Sequence, residues 1–410
     1  MFFYLSFLRP PPSKALLSTA ISITPQVAND LRTELYDEPQ DIYYAWYIPS
    51  GPLVKPNQLP VITKPQKLTT WRHSNAYKEL LVPVPSGIKE GQSCYLALTA
   101  HAQGYPHIIN LGSADVGQCP FPVMSVPILF SSNFPKRKAA VPTNKQENVE
   151  RIYRIPLTAT DQVFMRVKEQ TSFDLDKKVW DSGIGLSSWI TTLASDESVN
   201  TPEIVTRLRS ALLSADRRNV VELGAGTGMV SLTLGALRST KPTQQGCIIT
   251  TDLPSALPLL EHNISSNASL FRSDATRPKG LILDWDEQSL PVEVSRVQEG
   301  FDVVMYVYRM SCHTRLTTLV SCSMADVTYN TSAFPSLIRT VSEILHLRSS
   351  ALLSEPRLRE TMILLGYKER DPAERTLWEM MRDICVHLEK VDERRGAGGD
   401  PVEIWIGTIH

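Results

Sequence analysis

Net charge is nearly absent from this sequence: 42 lysines and arginines face 43 aspartates and glutamates over 410 residues, leaving −1. No global field therefore recruits nucleic acid or an anionic membrane, and partners must be selected locally. Cysteine is scarce and unpatterned. Cys94, Cys119, Cys247, Cys312, Cys322 and Cys385 show neither C-x-x-C nor Cys/His ligand spacing, which argues against zinc and against a disulfide framework, and for a reducing compartment; no metal is expected. Long apolar runs are missing too. The opening Met1-Phe-Phe-Tyr-Leu-Ser-Phe-Leu8 has no basic region before it and runs at once into Arg9-Pro-Pro-Pro12, so it reads as neither a signal peptide nor a membrane span.

What is present is enough apolar material for a full core, 42% of residues, in a length that suits one large or two ordinary domains. Residues 1–149 are dense in proline, with periodicity only in patches such as Ser93-Cys-Tyr-Leu-Ala-Leu-Thr99. Such a stretch predicts an irregular region of extended segments and short strands joined by loops, partly disordered. Pro135-Lys-Arg-Lys138 and Val141-Pro-Thr-Asn-Lys-Gln-Glu147 read as a linker.

From Glu150 to His410 the texture is that of an α/β domain. Arg151-Ile-Tyr-Arg-Ile-Pro156 and Gln162-Val-Phe-Met-Arg-Val167 alternate as a hairpin would. Helices are expected from Trp180 to about Ala194 and from Pro202 to about Ser214, then strand Asn219–Leu223, strand Cys247–Asp252, helix Pro254–Asn267 and strand Gly280–Trp285. Strand Phe301–Met305, helix Phe334–Leu347, strand Glu360–Leu365, helix Pro372 to about Val386 and strand Val402–Ile409 complete the pattern. Strands alternating with helices predict a doubly wound parallel sheet with helices on both faces.

The most informative stretch is Asn219-Val-Val-Glu-Leu-Gly-Ala-Gly-Thr-Gly-Met229, a buried strand running into a glycine turn and a helix start. Gly224, Gly226 and Gly228 permit positive φ and close approach of a ligand to the backbone, beside the unpaired N–H groups of the helix. A dinucleotide loop would be G-x-G-x-x-G, but position 229 is Met, which disfavours an NAD-linked oxidoreductase. The loop on its own is as compatible with an ordinary tight turn. Asp252 ends the next strand, where a carboxylate can accept both hydroxyls of a ribose. Asp284 and Trp285 end the third, where an acid can accept from an adenine amino group and an indole can stack on the purine, although such a tryptophan can equally be core. Ala325-Asp-Val-Thr-Tyr329 offers a carboxylate for a cationic amine and a phenol for orientation, or else is a capped loop.

Taken together, Glu222-Leu-Gly-Ala-Gly-Thr-Gly228, Leu283-Asp-Trp285, Ala325-Asp-Val-Thr-Tyr329 and Val179-Trp-Asp-Ser-Gly183 resemble the protein-lysine methyltransferases often called lysine methyltransferase family 21, which includes nicotinamide N-methyltransferase-like proteins. The resemblance covers residues 150–410. It implies a seven-stranded, Rossmann-like sheet and S-adenosylmethionine as cofactor. Trp180 would cover one side of that cofactor, while Gly224, Gly226, Asp252, Trp285 and Ala325 would line its pocket. Glu222, Ala225, Gly228, Leu253 and Asp284 are counted with these binding residues. Asp326 and Tyr329 would face the substrate lysine as the catalytic pair. The expected protein is an N-methyltransferase for a lysine of an intracellular protein, monomeric and cytoplasmic or also nuclear, binding neither nucleic acid nor membrane. The alternatives are a small-molecule amine methyltransferase and an inactive binding module that keeps the fold.

One feature breaks that pattern. Strand four should run from Phe301-Asp-Val-Val straight into Ala-Asp-Val-Thr-Tyr, yet 18 residues, 306–323, intervene. Met305-Tyr-Val can be encoded with a donor-like GTATGT, Leu316-Thr317 with a CTAAC branch site and Cys322-Ser323 with an acceptor-like CAG. In-frame removal would leave Val-Val-Ile-Met-Ala-Asp, an uninterrupted buried strand. The segment is therefore read as a retained intron in preference to a substrate-side loop. If it is translated, strand four must come either from Phe301–Met305 or from Val320–Asp326.

Overall fold

The computed structural model describes residues 1–48, 62–133, 146–171, 177–195, 201–241, 246–297, 299–307, 331–351 and 360–409. These fall into two compact units: Met1–Asp174 with Arg395–Gly399, and Leu175–Arg394 with Asp400–His410. The division lies later than the expected 149/150.

The first unit is more ordered than its proline content suggested. A three-stranded antiparallel sheet (Tyr4–Arg9, Ile21–Ala28, Leu80–Val82) accompanies a nine-stranded sheet. Leu5, Phe7, Ile23, Ile42, Trp46, Trp71, Leu96 and Phe130 share one apolar core. Prolines sit where the ladder tolerates them; Pro25 lies within a strand opposite Phe7 and Pro156 closes another opposite Gln162. The expected hairpin forms as Asn148–Pro156 against Gln162–Gln170, with alternate residues buried along the second strand. It groups with the first unit.

The second unit is an α/β layer built on seven strands: β1 (Arg218–Leu223), β2 (Gly246–Asp252), β3 (Lys279–Ile282), β4 (Val303–Val307), β5 (Met362–Tyr367), β6 (Val386–Arg394) and β7 (Val402–Ile409). Their order is β3-β2-β1-β4-β5-β7-β6. The first five are parallel, whereas β7 runs antiparallel between β5 and β6. Parallel strands covered on both faces are buried on both, and β1 is buried at every residue, its polar Arg218, Asn219 and Glu222 included.

The parallel pattern stops at one edge, where β7 pairs antiparallel with β5 and with β6, a strand not expected from the sequence. The helix expected to reach Val386 stops at Asp383: α7 is Thr376–Asp383, and Cys385 takes φ 60° at the reversal. Beyond it Val386-His-Leu-Glu alternates buried with exposed, the period of a strand.

Helices α1 (Asp181–Ser195), α2 (Glu203–Leu213), α3 (Met229–Arg238), α4 (Leu257–Ser266) and α6 (Phe334–Ala351) match the expected positions; α5 (Val292–Ser295) is a single turn. On one face of the sheet Val221, Leu223, Val304, Ile363 and Leu365 pack with Phe334, Leu337, Val341, Leu377 and Met381 of α6 and α7. On the other, α1 lies so close that a Cβ on Gly366 would meet the Ser182 carbonyl oxygen at 3.1 Å, and one on its own Gly185 would meet Val402 at 2.7 Å.

Of the two sources for strand four, the structure uses the first. Tyr306 lies in the sheet opposite Leu223 and Leu365, and Val307 lies opposite Gly366. The rest of the suspected insertion, from residue 308, lies outside the described residues.

Close packing gives a first prediction. Gly235 is inside α3, where alanine ordinarily gains about 1 kcal/mol. Here the added methyl would stand 2.4 Å from the Thr276 carbonyl oxygen and 2.9 Å from the Phe271 ring. Overpacking against backbone outweighs propensity, so Gly235→Ala should destabilise by about 1–3 kcal/mol. Thermal unfolding checks it; a raised Tm would contradict it.

Candidate active site

The site is built where β1 turns into α3. Gly224, Gly226 and Gly228 all take left-handed conformations, with φ of 66°, 58° and 77°. This alternation folds the chain back sharply and sets the first turn of α3 against a cleft. At Gly228 a side chain is doubly barred, because its Cβ would also meet Leu260 Cδ1 at 2.4 Å. The loop is pinned from several elements. Ala225 N donates to the Thr251 carbonyl (3.0 Å), Gly228 N to the Ala225 carbonyl (2.9 Å), and Asn263 Nδ2 to the Thr227 carbonyl (3.0 Å).

Asp252 completes the bracing. Its Oδ2 accepts from Gly226 N at 2.5 Å and its Oδ1 from Leu253 N at 2.7 Å. The carboxylate at the end of β2 therefore fixes the glycine loop.

The cleft is partly open, and the roughly 280 Å³ of space along its wall runs out into solvent. Of the residues singled out in the sequence, Trp180, Glu222, Gly224, Ala225 and Gly226 line it. The rest of its wall was not foreseen: Lys178, Val179 and Gly183 come from the approach to α1 and its first turn, and Thr227, Met229 and Val230 from the start of α3. The signal for the first group was present, because Val179-Trp-Asp-Ser-Gly183 places its neighbours on the same wall as Trp180.

Glu222 dominates the electrostatics. It is fully buried; Oε2 accepts from Thr250 Oγ1 (3.0 Å) and Ser231 N (3.3 Å), while Oε1 has no hydrogen-bond partner. Burial pushes its pKa up to about 7; hydrogen bonds from Ser231 and Thr250 pull the other way, and the Asp252 charge adds to the rise. A buried carboxylate oxygen without a donor costs free energy unless something cationic or donating fills the space before it.

Other expected contacts lie apart from the cleft wall. Asp284 is half-buried and accepts from Asp286 N at 3.0 Å. Trp285 packs edge-on against Tyr306, ring centroids 5.7 Å apart, and joins the apolar cluster beneath α6. Arg339 of α6 donates to the carbonyls of Trp285 and Glu287. Gly228 and Leu253 support the loop and do not line the space. Ala325, Asp326 and Tyr329 lie outside the described residues. Among the described residues no group of three or more His, Cys, Asp or Glu side chains is placed to hold a metal ion.

A glycine cradle, a buried acid at the end of β1 and a tryptophan wall invite comparison with known proteins. The model of one family, described as lysine methyltransferase, matches residues 159–383, more than half of the chain. The chain belongs to the lysine methyltransferase family. The matched segment spans α1 to α7 and contains the whole cleft. No curated protein matches the chain. Among solved structures, magnesium protoporphyrin IX methyltransferase from Synechocystis PCC 6803 with bound SAM is similar at 9% identity and a TM-score of 0.29, over 53% of this chain and 88% of that one. TYW2 from M. jannaschii in complex with AdoMet is similar at 16% identity and 0.27, over 52% and 77%. Mitomycin 7-O-methyltransferase MmcR is similar at 13% and 0.29, over 54% and 57%. Similarity at this level carries no argument about chemistry.

Proposed function

We propose that the chain is an S-adenosylmethionine-dependent methyltransferase that modifies a lysine side chain of an intracellular protein. The observation that carries the reading is Glu222 Oε1, an acceptor without a partner, buried in the wall of a cleft whose backbone is bared by Gly224 and Gly226. A methyl donor with a free α-ammonium group answers that acceptor. Lys178 lies on the same wall. Trp180 supplies an apolar face, and Asp252 holds the loop in shape. Bound there, S-adenosylmethionine would supply a methyl group on a sulfonium, to pass to a neutral amine with S-adenosylhomocysteine as the leaving group. The protein's contribution is then positioning and exclusion of water rather than covalent catalysis. Family membership supports lysine as the acceptor, with Asp326 and Tyr329 as the substrate-side pair.

Isothermal titration with S-adenosylhomocysteine is the first test; absence of binding overturns the reading. Transfer of a tritiated methyl group into proteins of a cell lysate is the second. A labelled band that Asp326→Ala abolishes is the expected result. Labelling confined to small molecules would move the substrate class, and a band that survives Asp326→Ala would remove that residue from catalysis.

A further inference from the structure

We propose that Arg370 and Lys368, neither of which lines the cleft, are positioning residues that set the Trp180 wall; the inference rests on the methyl-donor reading of that cleft. Trp180 and Asp181 are consecutive and both buried, at the entry to α1. Two residues just past the end of β5 seize them. Lys368 Nζ lies 2.8 Å from Asp181 Oδ2, with the two side chains 5% and 0% exposed. The Arg370 guanidinium carbon stands 5.2 Å from the centroid of the Trp180 ring. Arg370 is itself held, its backbone N–H donating to Glu374 Oε2 at 3.2 Å, and the same carboxylate oxygen accepts from Tyr367 Oη at 3.0 Å.

The two contacts do different things. An ion pair between buried partners fixes where the start of α1 sits, and a cation over an indole face fixes how the ring is turned. A tryptophan held by packing alone retains freedom about both side-chain torsions, and any donor stacked against it must pay to stop that motion. With Arg370 in place the wall is set before the donor arrives. The segment after β5 thereby influences donor affinity without touching the donor.

The experiment compares Arg370→Ala, Arg370→Lys and Arg375→Ala in the full chain. Arg375 is a control from the same segment: it stacks on Tyr367, Trp378 and Trp405 at 4.9, 4.8 and 5.8 Å and pairs with Glu403. Arg370→Ala should weaken S-adenosylhomocysteine binding roughly 3- to 10-fold, the range of a partly buried cation–π contact. It should raise the KM for the donor with kcat at saturation unchanged, and move the Trp180 indole N–H resonance, assigned with Trp180→Phe. Arg370→Lys should restore most of the affinity, while Arg375→Ala should lower Tm and leave affinity alone. An unmoved Trp180 resonance in Arg370→Ala, or equal loss of affinity in the Arg375→Ala control, overturns the positioning role. Failure of the wild type to bind S-adenosylhomocysteine overturns the methyl-donor reading instead, and the resonance still decides the contact.

Discussion

Glu222→Gln should weaken S-adenosylhomocysteine binding by roughly 10- to 100-fold at pH 8, the worth of a charge-assisted hydrogen bond in a buried site, and should at the same time raise the Tm of the ligand-free protein. The two effects share one cause. The carboxyl has a pKa raised from 4.5 to about 7, chiefly by burial, so the folded protein binds its proton more tightly than the unfolded chain. That contribution to stability is fully present below pH 4.5, is lost as pH rises through the window to about 7, and stays lost above it. The shift corresponds to on the order of 3 kcal/mol of ligand-free stability. Glutamine keeps an acceptor for Thr250 and Ser231 without the charge, so the penalty disappears. The donor's ammonium needs that same charge. Below pH 7 binding must first release the Glu222 proton, and affinity should fall by up to tenfold per pH unit until the loss matches that of Glu222→Gln. Titrations in two buffers of different ionisation enthalpy measure the proton release. An affinity independent of pH from 5 to 8 in the wild type, or unchanged by Glu222→Gln, would remove Glu222 from donor binding.

The glycine cradle was legible because its determinants are local. An apolar run interrupted by Glu222 and closed by Gly224, Gly226 and Gly228 announces a buried strand and a turn that only glycines can make, and both formed as expected. Trp180 stood out for the same reason, within five consecutive residues. Roles set by three-dimensional neighbours did not show. Asp252 was expected at a ribose, and nothing in its strand foretells that its carboxylate reaches the Gly226 amide 26 positions earlier. Lys368 carries no local pattern at all, since its partner Asp181 is 187 positions away. Strand β6 was hidden differently. The turn formers before it are weak, and the amphipathic stretch of α7 runs directly into Val386-His-Leu-Glu, so a helix reading overran a strand whose alternation was already written there. In the first unit the proline count obscured strands that accommodate Pro25 beside a register shift and Pro156 at a strand end.

The Asp181–Lys368 pair supports a second large effect, this time on stability. Both side chains are nearly sealed from water and their charged atoms are 2.8 Å apart. Removing one partner takes the nearest opposite charge from the other in a region that hydrates it poorly, a change that costs about 3–5 kcal/mol in buried pairs, whereas replacing both with apolar residues of similar size is often close to neutral. Lys368→Met alone, or Asp181→Leu alone, should therefore lower ΔG of unfolding by about 3–5 kcal/mol, a large share of the stability of an ordinary domain. The double variant should recover most of that loss. Asp181 has one further role that the double variant does not restore: as the first residue of α1 it places negative charge at a helix N-terminus, worth about 0.3–1 kcal/mol. Recovery should thus be incomplete by about that amount. Urea unfolding of the four proteins closes the thermodynamic cycle, and additive losses in the double variant would show that the two charges do not act as a pair. If they do, a double variant of near-native stability still lacks the polar link that registers the start of α1 against β5. Its donor affinity then separates the contribution of the pair to folding from its contribution to the shape of the cleft.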